Sequence, residues 1–314
     1  MGYKVAVVGA TGNVGREMMN ILSEREFPAD EVVAVASRKS LGQEVAYGDK
    51  TLKTKALDHY DFSDVDICLM SAGGTVSKEW SPKIAAAGAV VIDNSSAWRM
   101  DPDVPLIVPE VNAEAVAGFR KKGIIANPNC STAQLVVALK PLHDKAVIKR
   151  VVVSTYQSVS GAGASAMERL RSEEPASHDL RMDWDFDGVE FDEESKLREE
   201  TRKIMELPDL PISATCVRVP VMVGHAEAVW AEFEEPLRPE EATEILAASP
   251  SVRVEQFPSP GKAAGIDEVL VGRIRSDTTD PNGLSLFIAG DNLRKGAALN
   301  AIQIAELLLD RVSV

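Results

Sequence analysis

Residues 3–15 read Tyr-Lys-Val-Ala-Val-Val-Gly-Ala-Thr-Gly-Asn-Val-Gly, an apolar run that ends in a glycine-rich turn. The apolar run predicts a buried strand, and the apolar spacing over residues 12–22 predicts a helix directly after the turn. Gly9, Gly12 and Gly15 permit a tight turn, backbone approach to a pyrophosphate and close helix–strand packing, while the helix N-terminus offers N–H groups to an anion. The stretch therefore predicts a dinucleotide-binding strand–turn–helix unit.

The sequence around this unit continues as alternating strands and helices up to about residue 125. A helix is predicted at 78–87, and short runs rich in Val and Ile predict buried strands at 32–36, 67–70, 90–93 and 123–126. Strands of this kind, separated by helices, indicate a parallel sheet that is covered on both faces. The fold class is therefore α/β, with an N-terminal Rossmann-type parallel sheet.

The pattern changes from residue 148 onward. The predicted strands become longer and partly alternating, as in a sheet with one covered face, and lie at 148–157, 212–218, 228–232, 268–275 and 284–289. This indicates a second, α+β domain. The last predicted helix, 293–310, is expected to return to the first domain. We therefore expect one domain over 1–127 plus 292–314 and a second domain over 128–291.

The segment after the second predicted strand bears on the choice of dinucleotide. An acidic residue here would bond the ribose 2′-hydroxyl of NAD. The sequence instead has Ser37, Arg38, Lys39 and Ser40, which are hydroxyls and cations without a carboxylate. This composition favours the 2′-phosphate of NADP. The alternative is that Arg38 and Lys39 belong to a solvated loop.

Composition excludes several classes of function. The 314 residues contain 34 Lys and Arg against 48 Asp and Glu, a net charge of −14 that opposes binding to nucleic acid or to an anionic membrane. No apolar run approaches the roughly 20 residues that span a bilayer. Three cysteines, an odd number without metal-site spacing, indicate reduced thiols, no metal and a cytoplasmic protein.

Cys130 is the candidate nucleophile among these cysteines. It lies between a predicted strand and a helix predicted at 133–142. The positive end of a helix dipole stabilises a thiolate, the reactive form of cysteine. Cys68 and Cys216 fall inside predicted strands and are interpreted as small buried apolar residues.

A histidine is the expected proton-transfer partner of a catalytic thiolate. His225 follows a loop with Pro220 and Gly224, as an exposed functional turn would, and is the preferred candidate. His178, in an acidic segment without a clear pattern, is a weaker alternative. The other candidates are His59, beside Tyr60 in the first domain, and His143 at a helix end.

Six separated motifs, in order and nearly end to end, resemble those of aspartate-β-semialdehyde dehydrogenase. They are GATGNVG (9–15), SSAWR (95–99), NPNCST (127–132), YQSVSG (156–161), CVRVPV through GH (216–225) and DNLRKGAA (291–298). The resemblance implies NADP-dependent interconversion of L-aspartate-β-semialdehyde plus phosphate with L-4-aspartyl phosphate, in lysine, threonine, methionine and diaminopimelate biosynthesis. It also implies a homodimer, with an NADP-binding domain over 1–127 plus 292–314 and a catalytic and dimerisation domain over 128–291.

The resemblance further implies a role for each residue of the site. Cys130 would be the nucleophile, His225 the acid/base and Gln157 the residue that orients the thioacyl intermediate. Arg218 would bind the substrate carboxylate and Glu193 its amino group. Substrate contacts would also include Asn129, and Arg99 and Lys196 would bind the phosphate. The cofactor would contact Gly9, Ala10, Thr11, Gly12, Asn13, Val14, Gly15, Ser37, Arg38, Ser40, Ser71, Gly73, Ser160, Gly161 and, at the nicotinamide end, Asn292.

Residues 171–192 depart from the family pattern, which is longer here and includes an Asn-x-Ile-Pro-His element that this sequence lacks. Three alternatives remain. N-acetylglutamyl phosphate reductase is disfavoured because Ser131, and not Tyr, follows Cys130. Glyceraldehyde-3-phosphate dehydrogenase is disfavoured by the missing acidic residue after the second strand. A noncatalytic paralogue would not need to retain Cys130, Gln157, Arg218 and His225 together.

Overall fold

A computed structural model describes residues 2–172 and 178–309. The chain forms two compact units. One comprises the described residues up to Pro128 together with those from Ala297 onward, and the other runs from Asn129 to Gly296.

The strands are numbered in chain order. Those of the first unit are β1 (Tyr3–Val8), β2 (Ala29–Ala36), β3 (Glu44–Tyr47), β4 (Lys50–Lys53), β5 (Lys55–Ala56), β6 (Ile67–Met70), β7 (Val90–Asp93) and β8 (Ile124–Ala126). Those of the second unit are β9 (Ile148–Gln157), β10 (Ile212–Arg218), β11 (His225–Phe233), β12 (Val252–Val254), β13 (Val269–Ser276) and β14 (Gly283–Gly290).

The α-helices are numbered in the same way. They are α1 (Asn13–Glu24), α2 (Gly74–Ala86), α3 (Pro109–Asn112), α4 (Cys130–Ala146), α5 (Ala164–Arg171), α6 (Asp192–Met205), α7 (Pro239–Ala247), α8 (Pro260–Ala263) and α9 (Leu299–Glu306). Short 3-10 helices lie at Arg38–Ser40, Leu57–His59, Ala113–Lys121 and Val159–Ala162, and a π-helical turn lies at Arg294–Ala298.

The first unit contains the predicted parallel sheet. Its strand order is β5-β2-β1-β6-β7-β8, and every pair of neighbours is parallel. The strands β6 and β7 have the predicted bounds. Their side chains are buried throughout, as expected for central strands of a sheet covered on both faces. The Rossmann-type prediction is therefore confirmed.

The C-terminal helix α9 belongs to the first unit, as predicted. Leu299, Ile302 and Ile304 on this helix join the core that contains Met18 and Leu22 of α1. The helical segment predicted at 293–310 is not one regular helix, however. It begins as the π-helical turn and α9 follows only up to Glu306, while residue 310 lies outside the described residues.

The second unit is built on a mixed sheet with the order β10-β9-β11-β14-β13-β12. The pair β9–β10 is parallel, whereas β11 is antiparallel to both β9 and β14. The helices α4, α6 and α7 pack on one face of this sheet. Alternate residues of β9 are buried on that face, which confirms the predicted one-sided burial.

Candidate active site

Most of the predicted catalytic residues of the second unit lie where four strand ends meet. Because β9 and β10 are parallel, their C-terminal residues Gln157 and Arg218 are paired. Because β11 and β14 are antiparallel, His225 at the start of β11 is paired with Gly290 at the end of β14. The strand directions therefore bring Gln157, Arg218 and His225 to one edge of the sheet, although they are up to 68 positions apart in the sequence.

Cys130 is the first residue of α4, so the predicted position at a helix N-terminus is found, three residues before the predicted start of that helix. The preceding residue, Asn129, caps the helix: its Oδ1 accepts hydrogen bonds from the backbone N of Ser131 at 2.9 Å and of Thr132 at 3.4 Å. Cys130 is partly exposed, in contrast to the buried residues Cys68 and Cys216. This is the placement that a cysteine nucleophile requires.

Gly296 packs directly on the nucleophile. A methyl group at Gly296 would lie only 2.8 Å from the Cβ atom of Cys130, closer than two carbon atoms normally approach. The absence of a side chain at this position therefore lets the chain after β14 pass against the start of α4.

A hydrogen-bonded network joins three of the predicted residues. Glu193 Oε1 accepts from Asn129 Nδ2 at 2.8 Å and from Gln157 Nε2 at 3.0 Å. The Asn129 backbone N donates to Glu200 Oε2 at 2.6 Å. Because Glu193 is almost fully buried, its charge is stabilised by these amide donors. The side chain of Gln157 is thus held beside the residue that precedes Cys130.

Lys196 lies one turn after Glu193 on α6. Its Nζ is 2.6 Å from Asp192 Oδ2 and 3.7 Å from Glu193 Oε2. Lys196 is therefore part of an ion-pair cluster within α6, because residues three and four positions apart are neighbours on a helix surface.

His225 is completely buried, and its two ring nitrogens differ. Nδ1 accepts a hydrogen bond from the backbone N of Ser158 at 3.0 Å, whereas Nε2 has no hydrogen-bond partner among the described residues. Burial, and secondarily the charge of Arg218, lowers the pKa of His225 to about 3. The ring is therefore neutral near pH 7, and because Nδ1 is an acceptor, the proton is on Nε2.

Arg218 is held by groups that sequence patterns did not indicate. Its Nη1 donates to the Ser158 carbonyl at 3.1 Å, and its Nη2 is 3.2 Å from Asp183 Oδ1. Its guanidinium also lies 4.6 Å from the ring centre of Trp184. Asp183 and Trp184 belong to the segment 171–192 that departs from the family pattern, so this segment contributes to the site in this chain.

The side chains of Arg218 and His225 both lie close to Gly161. A methyl group at Gly161 would lie 3.2 Å from Arg218 Nη1 and 3.4 Å from His225 Nε2. The guanidinium and the unpartnered imidazole nitrogen therefore face the same small space above the Gly161 backbone.

Asn292, expected near the nicotinamide, is buried inside the second unit. Its Oδ1 accepts from Ser158 Oγ at 3.0 Å, from Ser160 Oγ at 3.1 Å and from the backbone N of Gly224 at 2.9 Å. The amide thus connects the end of β9 to the turn before His225. Its carbonyl oxygen is committed to these internal bonds.

The predicted dinucleotide turn has the local geometry that its glycines suggested. Gly9 has a φ of +86°, and a methyl group there would meet the Ser71 carbonyl oxygen at 2.1 Å. A methyl group at Gly15 would lie 2.2 Å from the Gly9 carbonyl oxygen, whereas one at Gly12 would meet nothing closer than 3.4 Å. Gly9 therefore serves the turn, Gly15 serves helix packing and Gly12 leaves its outer side open to a ligand.

The start of α1 suits an anion. Gly12 is its N-cap and offers no capping side chain, and its first turn contains no acidic residue. Ala10, Thr11, Asn13 and Val14 form the rest of the turn and the first helical residues. Gly73, with a φ of +83°, similarly precedes α2, next to Ser71 at the end of β6.

The segment after β2 is exposed and carries an ion pair that was not predicted. Ser37 precedes the 3-10 helix Arg38–Ser40. The Nε of Arg38 donates to Asp58, and its Nη2 is 2.8 Å from His59 Nε2. The spacing rule misses this carboxylate because Asp58 comes from a later part of the chain.

Arg99 is buried in the first unit, where its guanidinium donates hydrogen bonds to carbonyl groups that follow β7 and β8. Its Nε donates to the Asn127 carbonyl at 2.9 Å, and its Nη2 donates to the Asn94 carbonyl at 3.0 Å. The guanidinium is therefore held at the C-terminal edge of the parallel sheet, after β7 and β8, where α/β proteins bind their ligands.

Cys68, Cys216 and His143 have structural surroundings that account for their presence. Burial raises the pKa of both the Cys68 and Cys216 thiols. His143 Nδ1 accepts from the backbone N of Ile148 at 3.1 Å, which connects the end of α4 to β9. His178 lies in an exposed stretch.

In the described residues, no helix is both long and apolar enough to cross a bilayer. The chain thus combines a Rossmann-type unit with a mixed-sheet unit in which a cysteine begins a helix, an arrangement found in semialdehyde dehydrogenases. Two family descriptions match accordingly: "Semialdehyde dehydrogenase, NAD binding domain" over residues 4–119 and "Semialdehyde dehydrogenase, dimerisation domain" over residues 139–295.

Individual relatives narrow this class. The chain is 53% identical to an aspartate-semialdehyde dehydrogenase of Aquifex aeolicus, over 98% of each sequence. It superposes with a TM-score of 0.96, at 43% identity over 99% of each chain, on aspartate semialdehyde dehydrogenase II from Vibrio cholerae complexed with ASA. An NADP-bound enzyme from Candida albicans gives 0.79 at 26% identity, over 98% of each chain. The chain belongs to the aspartate-semialdehyde dehydrogenase family, which confirms the resemblance.

Proposed function

We propose that the protein interconverts L-4-aspartyl phosphate and L-aspartate-4-semialdehyde, with NADP and phosphate, through a thioacyl intermediate on Cys130. In the cell, the reaction would run reductively, in the biosynthesis of lysine, threonine, methionine and diaminopimelate. The reactive thiol needs a reducing environment, for which the cytoplasm is suited.

The observation that carries the proposal is that His225 Nε2 and Arg218 Nη1 both border the space over Gly161. A buried nitrogen without a partner is unfavourable in a stable fold unless a ligand uses it. A neighbouring guanidinium suits a carboxylate. Both groups stand at the sheet edge next to Gln157, whose amide is connected through Glu193 to the residue before Cys130.

Cys130 supplies the covalent chemistry. Its thiolate attacks the acyl carbon of aspartyl phosphate, a C–S bond forms, the C–O bond to the phosphate breaks, and phosphate leaves. NADPH, when bound, supplies the hydride that reduces the resulting thioester. The tetrahedral alkoxide then collapses to the aldehyde, and the C–S bond breaks to restore the thiolate.

His225 acts on the substrate oxygen. Since Ser158 donates to Nδ1, the proton available to a ligand is on Nε2. Nε2 shares this proton with the oxygen as negative charge develops on it, and retains the proton when the aldehyde leaves. Gln157, with its side chain held by Glu193, orients the thioacyl group from the neighbouring strand.

Arg218 binds the substrate carboxylate. Asp183 and Trp184 hold its guanidinium from one side and one face, so the plane of the fork is set before a ligand arrives. Glu193, a buried carboxylate next to Asn129, binds the substrate amino group. Arg99 and Lys196 provide the cations for the phosphate, which a chain with a net charge of −14 must supply locally.

The glycine turn and the uncapped N-terminus of α1 fit the pyrophosphate of the dinucleotide. Ser37, Arg38 and Ser40 would contact the 2′-phosphate, which supports NADP over NAD. In that case, the phosphate competes with Asp58 for Arg38, or Arg38 bridges both groups.

Two steady-state assays test the proposal. With aspartate semialdehyde, NADP reduction should require phosphate or arsenate, and kcat/KM with NADP should exceed that with NAD. With N-acetylglutamate semialdehyde the rate should be at least 100-fold lower. Equal or faster turnover of the N-acetylated substrate, or turnover that is independent of phosphate and arsenate, would contradict the assignment.

A further inference from the structure

A second row of side chains lies directly behind the active-site residues on the helix-covered face of the sheet. The residues two positions further into each strand are Cys216 on β10, Thr155 on β9, Glu227 on β11 and Ile288 on β14, and they are paired in this order across the sheet. Glu227 is the unexpected member, because it is a carboxyl group with no exposed surface.

The polar side chain that faces Glu227 is Gln134, from the helix that Cys130 begins. Both carboxyl oxygens of Glu227 and both amide atoms of Gln134 are buried without a hydrogen bond of standard geometry in the described part of the chain. Four unsatisfied buried polar atoms would be strongly unfavourable, and the two groups are complementary in donors and acceptors.

The strand next to Glu227, β14, has a glycine where the Gln134 side chain approaches it. A methyl group at Gly290 would lie 2.6 Å from Gln134 Oε1, and Gly290 is the residue paired with His225. Gly290 does not have a positive φ, so its backbone conformation does not demand glycine. The close approach of the Gln134 amide does. The amide is therefore seated at a defined place, over the strand pair that carries His225.

We propose that Glu227 and Gln134 form a hydrogen-bonded pair that positions the helix carrying Cys130 against the strand carrying His225. Gln134 lies four residues after Cys130 on α4, and Glu227 lies two residues after His225 on β11. The pair therefore acts one helical turn behind the nucleophile and one strand repeat behind the imidazole. Its importance for turnover rests on the proposed function, whereas its geometry does not.

The pair is most stable as a neutral acid and an amide. Burial raises the pKa of Glu227 well above its usual value. Its cross-strand neighbours Thr155 and Ile288 carry no charge, and Cys216, the next titratable group in the row, is a buried thiol. A neutral carboxyl can donate its O–H to Gln134 Oε1 while it accepts from Nε2, which satisfies both side chains in a closed ring.

The test compares Glu227→Leu and Gln134→Leu with the conservative Glu227→Gln. Each Leu variant should lower kcat at least tenfold, with KM changed less than threefold. The kcat of the double Leu variant should be no lower than that of the less active single variant. Glu227→Gln, which can still form a ring of two amide hydrogen bonds, should keep kcat within about twofold. Val229→Ala, on the same strand and face, is the matched control: it lowers the Tm without lowering kcat.

A second readout does not need turnover. Cys130 in the Leu variants should react with iodoacetamide at a rate that differs at least threefold from the wild-type rate, and Glu227→Gln should restore that rate. Unchanged labelling and unchanged kcat in folded Leu variants would overturn the pair, and so would equal losses in Glu227→Gln and Glu227→Leu. A wild-type protein without semialdehyde turnover would contradict the proposed function alone.

Thermal unfolding provides the third readout, and it remains available if the Leu variants do not fold. The folded protein keeps a proton on Glu227 that the unfolded chain releases above its ordinary pKa. Wild-type stability should therefore fall relative to Glu227→Gln as the pH rises from about 4.5. A Tm difference that does not grow with pH would contradict the neutral pair.

The exchanged variant Glu227→Gln/Gln134→Glu should fold and retain activity, because it keeps one acid and one amide. Its inactivity would also count against the pair.

Discussion

Arg218 illustrates how a single buried side chain is prepared for a ligand. Only 7% of its side chain is exposed, and its bonds to Ser158 and Asp183 hold the guanidinium at the space over Gly161 that His225 Nε2 also borders. A buried charge of this kind is stable only when it is paired and hydrogen-bonded, and here the protein supplies part of that bonding. The substrate carboxylate supplies the rest in the proposed reaction.

Replacing Arg218 with Lys tests this role. A lysine ammonium cannot form the planar, two-bond contact with a carboxylate, so we expect KM for aspartate semialdehyde to rise about 10- to 100-fold, with a smaller change in kcat. Steady-state kinetics at saturating NADP and phosphate measures the change. Arg253→Lys, at a half-exposed position, is the control and should leave KM unaltered. Wild-type KM in Arg218→Lys would contradict the assignment.

The pKa of His225 predicts a pH dependence of stability. Because the folded-state pKa is about 3 and the ordinary value is 6.5, the unfolded chain binds a proton more readily between these values. The free energy of unfolding should therefore fall as the pH drops from about 6.5 toward 3, by up to about 1.4 kcal/mol per unit. His225→Gln should remove this contribution, as measured by Tm from pH 7 to 4. A wild-type slope in that variant, or an equal change in the exposed control His178→Gln, would contradict it.

At the residue scale, sequence predicted the groups that sit in recognisable motifs and missed the groups that support them. The position of Cys130 at the start of a helix could be predicted because a helix start is visible in the sequence around it. Asp183 and Trp184 could not, because they approach Arg218 from 35 and 34 positions away, in a segment without a clear pattern. Glu227 was also missed, because a glutamate in a strand normally indicates exposure.

Elements whose burial is decided by their own composition were predicted well. The strands β9 and β10 have the predicted bounds, since both contain β-branched apolar residues in runs or at alternate positions. Apolar spacing does not predict α6, which is mostly charged. Its glutamates are buried because Glu193 and Glu200 bond to Asn129 and Glu194 bonds to the backbone N of Cys216. Such partners become visible only when distant elements meet.

The turn before α1 gives a prediction at the scale of elements. A methyl group on Gly15 would approach the Gly9 carbonyl oxygen to 2.2 Å, so Gly15→Ala should push α1 away from the turn that is proposed to hold the pyrophosphate. We expect KM for NADP to rise at least tenfold and the Tm to fall. Gly261→Ala, in α8 with open space around it, is the matched control. Unchanged NADP binding in a folded Gly15→Ala protein would exclude this role of the turn.

The whole molecule is proposed to be a homodimer, and one face of the second unit is suited to the contact. The sheet face opposite α4 presents the aromatic side chains of Tyr156, Trp230 and Phe287, with the guanidinium of Arg273 near Phe287 and that of Arg150 near Trp230. Homodimer interfaces are typically apolar and include aromatic residues of this kind. The family description of this region as a dimerisation domain agrees with such a surface.

Trp230→Glu should therefore convert the protein from dimer to monomer, because it replaces the largest aromatic ring of this face with a hydrated carboxylate. Sedimentation velocity at micromolar concentration measures the change. Phe257→Glu replaces an exposed apolar residue elsewhere on the second unit and should leave the dimer intact. A wild-type protein that sediments as a monomer, or a dimeric Trp230→Glu variant, would contradict this interface.

The central claim is that the thiol at the start of α4 forms the covalent bond to the substrate. Iodoacetamide titration, with peptide mass spectrometry and the phosphate-dependent NADP assay on the same samples, tests it most directly. We predict that activity falls in proportion to alkylation of Cys130, while the buried Cys68 and Cys216 remain unmodified. Full alkylation of Cys130 with retained activity would contradict the claim.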